Sequence, residues 1–282
     1  MIKLQFLRKN LKYYTKKEGN TTSAGTGQNQ KQSNDYADKN RTRDLNQSQP
    51  HTAPEITLSH FRLAKRAEAI YNARVSRKIQ VYTGGSVGCN GYLIEAEEGY
   101  VAIDAPLGMA AWVARQLPPG AKLTDLLLTH QHFDHVEGAA ELQRQTGCNI
   151  HAVAPYSKKL TLEEAAGAWG LPPVEPYTVD DVLGTAPRKA HWAGLEWQIF
   201  PISGHATDGA AYYLPGDAEL FVGDILFAGS VGRTDFPGGS MSALVHGIRE
   251  HLMPLPPQTT VNSGHGPAST IGEEQLNNPY IS

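Results

Sequence analysis

Cysteine is nearly absent from this 282-residue sequence, with Cys89 and Cys148 the only two. Two thiols cannot build a disulfide framework, and neither belongs to a Cys-x-x-Cys pair of the kind that holds zinc or runs thiol redox chemistry. Long apolar runs are missing as well. No stretch approaches the ~20 residues that span a bilayer, and the start lacks the continuous apolar segment of a secretory signal. The third absence is excess charge of one sign. Twenty-five Lys and Arg against 28 Asp and Glu leave a formal charge of -3, which gives no global attraction to nucleic acid or anionic lipid. Together these absences predict a soluble cytoplasmic protein with neither nucleic-acid nor membrane partners. The 40% hydrophobic content suffices for a substantial buried core.

Composition changes near residue 55. Residues 1–55 are rich in Asn, Gln, Ser, Thr and Lys and read as a disordered polar tail; residues 56–282 read as one domain. The first turns, Met1 to Lys17, mix apolar residues with Lys and Arg. We read them as part of a charged tail, with an organelle-targeting peptide as the alternative. The segment Ser59 to Ser76 has apolar residues at near-helical spacing and predicts a helix leading into the domain. Beyond it, short apolar runs predict strands at 79–82, 91–94, 100–104, 126–129, 150–153, 196–201, 211–214, 220–222 and 260–262. Helices are predicted at 108–116, 139–144 and 241–251, so the pattern is mixed α/β.

The chemistry concentrates where predicted strands end. His130, His132, Asp134 and His135 stand within six residues, directly after the apolar run Leu126–Leu128. Three further donors occupy equivalent places: His205 after the strand ending at Pro201, Asp224 after Leu220–Val222, and His265 after Thr260–Asn262. Each of these three follows a glycine, which lets backbone turn sharply beside a ligand. One such loop is accounted for by solvated polar residues, but four loops each delivering a metal-binding side chain point to a cation site. Imidazole with carboxylate suits zinc, iron or manganese better than calcium or magnesium.

In order and spacing, His-x-His-x-Asp-His at 130–135, Gly-His at 204–205, Gly-Asp at 223–224 and Gly-His-Gly at 264–266 resemble the metallo-β-lactamase superfamily. The resemblance covers roughly residues 79–280 and implies a four-layer αββα sandwich. It further implies two divalent cations, zinc first and iron or manganese as alternatives. His130, His132 and His205 would hold one cation, Asp134, His135 and His265 the other, and Asp224 would bridge them. Two such cations acidify a shared water for hydrolysis, and Asp134 is the candidate catalytic group that orients it and relays its proton. Asp104 falls near a position where the family has aspartate, and reads as a support beneath the metals.

The segment from Gly223 to Phe236, with its Gly-Arg-Thr-Asp-Phe run at 232–236, and the ending from Gly264 to Tyr280 resemble short glyoxalase II-type hydrolases, also called hydroxyacylglutathione hydrolases. The implied substrate is a small-molecule thioester such as S-lactoylglutathione. Arg233 stands where longer enzymes of that type contact glutathione with a basic residue, and is read as a substrate-carboxylate anchor; pairing with Asp235 is the alternative. The same Gly-Arg-Thr-Asp-Phe run also resembles mononuclear iron persulfide dioxygenases, which would use the positions of His130, His205 and Asp224; a hydrolase of another ester class is a further alternative. The remaining histidines, at 51, 60, 151, 191, 246 and 251, read as surface or satisfied polar residues. Cys89 and Cys148 read as small packed side chains, and Trp169 as a packing residue or pocket wall.

Overall fold

The computed structural model describes residues 77–281. The polar tail, the Ser59–Ser76 helix, His51 and His60 lie outside the described residues. Two six-stranded sheets dominate, with a two-stranded ribbon beside them. The first sheet runs in sequence order: β1 (Ile79–Gly84), β2 (Cys89–Ala96), β3 (Gly99–Ile103), β4 (Leu123–Leu127), β5 (Asn149–Ala152) and β6 (Asp181–Val182). Antiparallel hairpins join β1, β2 and β3, and β3 to β6 are parallel. Helices α1 (Met109–Gln116), α2 (Phe133–Val136) and α3 (Ala139–Thr146) come from the crossovers of the parallel part, and α4 (Glu163–Ala168) follows β5.

The second sheet has the order β14-β13-β10-β9-β8-β7. Its strands are β7 (Arg188–Trp192), β8 (Leu195–Pro201), β9 (Ala210–Leu214), β10 (Glu219–Gly223), β13 (Thr260–Ser263) and β14 (Ser269–Thr270). The ribbon pairs β11 (Leu226–Phe227) with β12 (Ser230–Val231). Helix α5 (Met241–Gly247) continues into a π-helical turn over Ile248–Leu252, and α6 (Ile271–Asn277) closes the described chain.

Three apolar layers make this a four-layer αββα sandwich. Period-2 alternation sorts the side chains between them. From β3, Val101 and Ile103 face the second sheet with Leu127, Trp197, Ile199 and Phe221. Tyr100 and Ala102 of the same strand join Met109, Val113 and Leu142 under the helices of the first sheet. In β9, Ala210, Tyr212 and Leu214 enter the central layer, whereas Ala211 and Tyr213 meet Leu244 and Ile248 on the far side. Strands buried on both faces need unbroken apolar runs, and that is why the short runs in the sequence mark them.

Each of the nine expected strands is present, with ends shifted by a few residues. The expected helix 241–251 holds its α form only to Gly247 before the π-helical turn. Strand β7, sequence RKAHW with exposed and half-buried positions, has no apolar run and so gave no signal. Helix α2 is one turn hidden inside the His-rich motif. Among the described residues no helix is long and apolar enough to cross a membrane.

Candidate metal centre

Both sheets deliver donors to one edge. From the first sheet, the segment after β4 carries His130, His132, Asp134 and His135, all buried. From the second, His205 follows β8, Asp224 follows β10 and His265 follows β13. The two edges are stitched together by main-chain and side-chain hydrogen bonds. Ala210 N–H donates to the Thr129 carbonyl at 2.7 Å and Asn90 N–H to the Gly264 carbonyl at 2.7 Å. Tyr212 donates from its hydroxyl to the Leu128 carbonyl at 2.8 Å, and Tyr92 to the Ser263 carbonyl at 2.6 Å. Glycine permits the close approach at two of the loops. At Gly223, with φ +49°, a Cβ would collide with the Thr129 side chain; at Gly264 it would lie 2.5 Å from Asp224 Oδ1 and from His135 Cε1.

The imidazoles are held in a consistent orientation. His135 donates from Nδ1 to Asp104 Oδ2 at 2.7 Å, and His205 donates from Nδ1 to the Arg233 carbonyl at 2.8 Å. His265 Nδ1 faces the Gly88 carbonyl at 3.3 Å, and His130 Nδ1 faces Thr129 Oγ1 at 3.2 Å. With Nδ1 committed outward, Nε2 of each of these four rings is left to point into the cluster, the arrangement that fixes tautomer and aim in metal-ligating histidines. His132 turns the other way and brings Nδ1 within 2.9 Å of His205 Nε2.

The inward nitrogens meet carboxylate oxygens. Asp224 Oδ1 lies 3.4 Å from His135 Nε2, and its Oδ2 lies 3.6 Å from His205 Nε2 and 3.7 Å from His265 Nε2. Asp134 Oδ2 is 3.1 Å from His265 Nε2 and 3.7 Å from His135 Nε2. Yet His130 Nε2, His135 Nε2 and Asp224 Oδ1 are buried without a hydrogen-bond partner, a costly state unless another group supplies the missing interaction. A divalent cation is such a group, and the donor chemistry fits it. Three sets of donor atoms lie mutually within 4.8 Å: His130, His132 and His205; His130, His135 and Asp224; and Asp134, His135 and His265 together with Cys89.

Electrostatics of the cluster agree. Burial and the charge of His135 push His130 well below its ordinary range, and burial with His205 takes His132 down to about 3. Burial alone would lower His135, but Cys89, Asp104, Asp134 and Asp224 outweigh it and hold it well above the usual histidine value. Burial would likewise raise Asp134, but His135 and His265 bring it down to about 2. Cys89 and the clustered carboxylates therefore favour positive charge beside His135, which a bound cation would supply.

All seven expected donors thus converge. Asp104 is the support beneath them: it accepts from His135, from Thr129 N–H at 2.8 Å and from Thr129 Oγ1 at 2.7 Å. Arg233 contributes its backbone carbonyl to His205, while its exposed side chain forks onto Asp235 with two bonds of 2.6 Å and lies 4.4 Å over the Phe236 ring. Phe236 in turn packs edge-on against His132. Beside the cluster is a cavity of about 270 Å³ bounded by His132, Lys159, Leu162, Thr207, Asp208 and Pro237. Trp169 packs edge-on against Phe133 and is more than half exposed. Three other described histidines make contacts away from the cluster. His151 is buried against Asp125 at 2.8 Å and packs on Trp192, His246 pairs with Glu250, and His251 stacks on Phe200. Sequence reasoning missed Cys89 and Asp208 at this edge, because neither belongs to a donor motif.

An αββα sandwich that ends both sheets in a histidine–aspartate cluster defines a metal-binding hydrolase class. The chain belongs to the metallo-beta-lactamase superfamily, whose profile matches residues 84–265. Among its relatives is the hydroxyacylglutathione hydrolase GloC of Haemophilus influenzae, 34% identical over 193 residues that make up 67% of this chain and 91% of the relative. Of solved structures, TTHA1623 in a di-iron-bound form is 36% identical with a TM-score of 0.62, covering 72% of this chain and all of that one. The BLEG-1 B3 metallo-beta-lactamase is 27% identical with a TM-score of 0.66, covering 73% of this chain and all of that one.

Proposed function

We propose that the protein is a dinuclear thioester hydrolase of the glyoxalase II type, acting on a small glutathione-derived thioester such as S-lactoylglutathione. The observation that carries the metal reading is the set of four rings that turn Nε2 inward beside two carboxylates. His130, His132 and His205 would hold one cation, Asp134, His135 and His265 the second, and Asp224 would serve both. Zinc is the cation we favour, with iron the competitor in view of the di-iron form of TTHA1623. Bound there, the cations would supply Lewis acidity and bring the pKa of a water toward neutrality.

The chain's own groups would do the rest. Asp134, with its carboxylate ionised and held by His265, would orient the attacking water and take up its proton at Oδ2. Thr207, Leu162 and Pro237 shape the cavity next to His132, and Lys159 on its wall offers a cation for a substrate carboxylate. Arg233 offers a second one if it exchanges Asp235 for the substrate, which its exposed position allows. The name of the Haemophilus influenzae relative supports the acyl-glutathione class.

The test is thiol release from S-lactoylglutathione by zinc-loaded protein. Metal-dependent release is expected, with kcat lowered about 10² to 10⁴-fold in Asp134→Ala. No release by a folded protein carrying two equivalents of metal would overturn the thioesterase reading.

A further inference from the structure

The second donor set contains one residue that the histidine and aspartate motifs do not account for. Cys89 opens β2, is fully buried, and its sulfur lies within 4.8 Å of donor atoms of Asp134, His135 and His265. Both of its chain neighbours are tied to the loop that carries His265. The Gly88 carbonyl faces His265 Nδ1 at 3.3 Å, and Asn90 N–H donates to the Gly264 carbonyl at 2.7 Å. The Asn90 side chain adds bonds of 3.1 Å to the Ser263 and Gly266 carbonyls. The start of β2 is thus bolted to the His265 loop on either side of the thiol. Cys89 Sγ makes a long contact of 3.6 Å to the Asn90 carbonyl and interacts with the His135 side chain. Facing the same space, His135 Nε2 is buried and without a hydrogen-bond partner.

We propose that Cys89 is a thiolate ligand of the second cation, joining Asp134, His135 and His265, and that it makes this site selective for zinc over iron or manganese. The inference rests on the two-cation reading above. On binding, the Cys89 S–H bond breaks, the sulfur lone pair goes to the cation, and the proton leaves to the buffer. A soft sulfur donor added to nitrogen and oxygen favours zinc, whereas the three imidazoles of the first set do not make that distinction. The two sites therefore differ chemically.

Cobalt(II) loading tests this without reference to turnover. Two equivalents bound to the full chain are expected to give a sulfur-to-cobalt charge-transfer band with the intensity of one thiolate. That band should be lost in Cys89→Ser and Cys89→Ala and kept in Cys148→Ser, whose thiol lies in the outer core beside Leu142 and Ile150. One of the two equivalents should bind at least about tenfold more weakly in Cys89→Ser. Two bound equivalents with no charge-transfer band, or a band that persists in Cys89→Ser, would overturn the Cys89 assignment and leave the two-cation reading standing. No cobalt binding at all would overturn both. Should the Cys89 variants not fold, X-ray absorption on zinc-loaded wild type decides: a sulfur scatterer supports the assignment, and a purely nitrogen and oxygen shell ends it.

Discussion

Replacing Asp104 by Asn changes one atom and should cost the centre much of its grip on metal. Asp104 accepts three hydrogen bonds, from Thr129 N–H through Oδ1 and from Thr129 Oγ1 and His135 Nδ1 through Oδ2. An asparagine amide has one acceptor oxygen and one NH₂ donor. If the oxygen stays with the Thr129 N–H, the NH₂ faces His135 Nδ1. The imidazole then takes the other tautomer and turns an Nε2 proton toward the cation. Rotating the amide moves the conflict to the Thr129 N–H, where two donors oppose each other in a buried site at about 1 to 3 kcal/mol. The first arrangement, which leaves no donors opposed, removes the support of a metal-ligating ring, an effect of about 10 to 100-fold in affinity, or about 1.4 to 2.7 kcal/mol. Competition between the protein and a chromophoric zinc chelator measures it directly. Both equivalents binding with wild-type affinity in a folded Asp104→Asn protein would refute the claim that Asp104 sets the His135 tautomer.

Asp208 supplies a pH prediction. Burial raises its carboxyl from 3.8 to about 6, against partial relief from nearby backbone and Gln131 hydrogen bonds. Because the folded value lies above the unfolded one, the native state holds this proton more tightly, so the contribution is complete below about pH 4 and lost as pH rises through 6. Between wild type and Asp208→Asn, both metal-free, the difference in unfolding free energy should therefore change by about 3 kcal/mol across that window, read by urea titration at several pH values; a pH-independent difference would contradict it. Arg233→Ala should leave the melting temperature unchanged, since its pair with Asp235 is solvent-exposed. The same variant should raise KM for an anionic thioester with little change in kcat, and an unaltered KM would remove Arg233 from substrate binding.

Much of the centre was legible because its residue types are unusual at the ends of apolar runs. His130 and Asp224 follow strands that end in buried apolar residues, and His205 follows the alternating strand β8, so runs and period-2 alternation announce the donors behind them, whereas β13 before His265 is short and mostly polar. Less visible was anything that depends on contact between distant segments. Cys89 carries no motif, and its place beside His265 is created by hydrogen bonds of its neighbours across 170 or more positions of chain. The sequence likewise suggests a role for the Arg233 side chain but gives no sign that its carbonyl also positions His205. Strand β7 pairs at the edge of its sheet with mostly exposed side chains, so no burial pattern was imprinted on it.

The division of donors between two sheets has a consequence for how the protein matures. His130 through His135 belong to one sheet edge, and His205, Asp224 and His265 to the other. In the proposed ligand sets neither half of the chain offers all the donors, so tight metal uptake would wait until the last donor, at position 265, has been synthesised and the two sheets have closed on each other. Cations captured there would act as a rivet through the sandwich edge. They would stabilise only the assembled state, by about 4 kcal/mol when free metal exceeds the dissociation constant a thousandfold. Metal content would thereby become a record of completed folding, and a chelator, by withdrawing the rivet, would be expected to loosen the seam between the sheets.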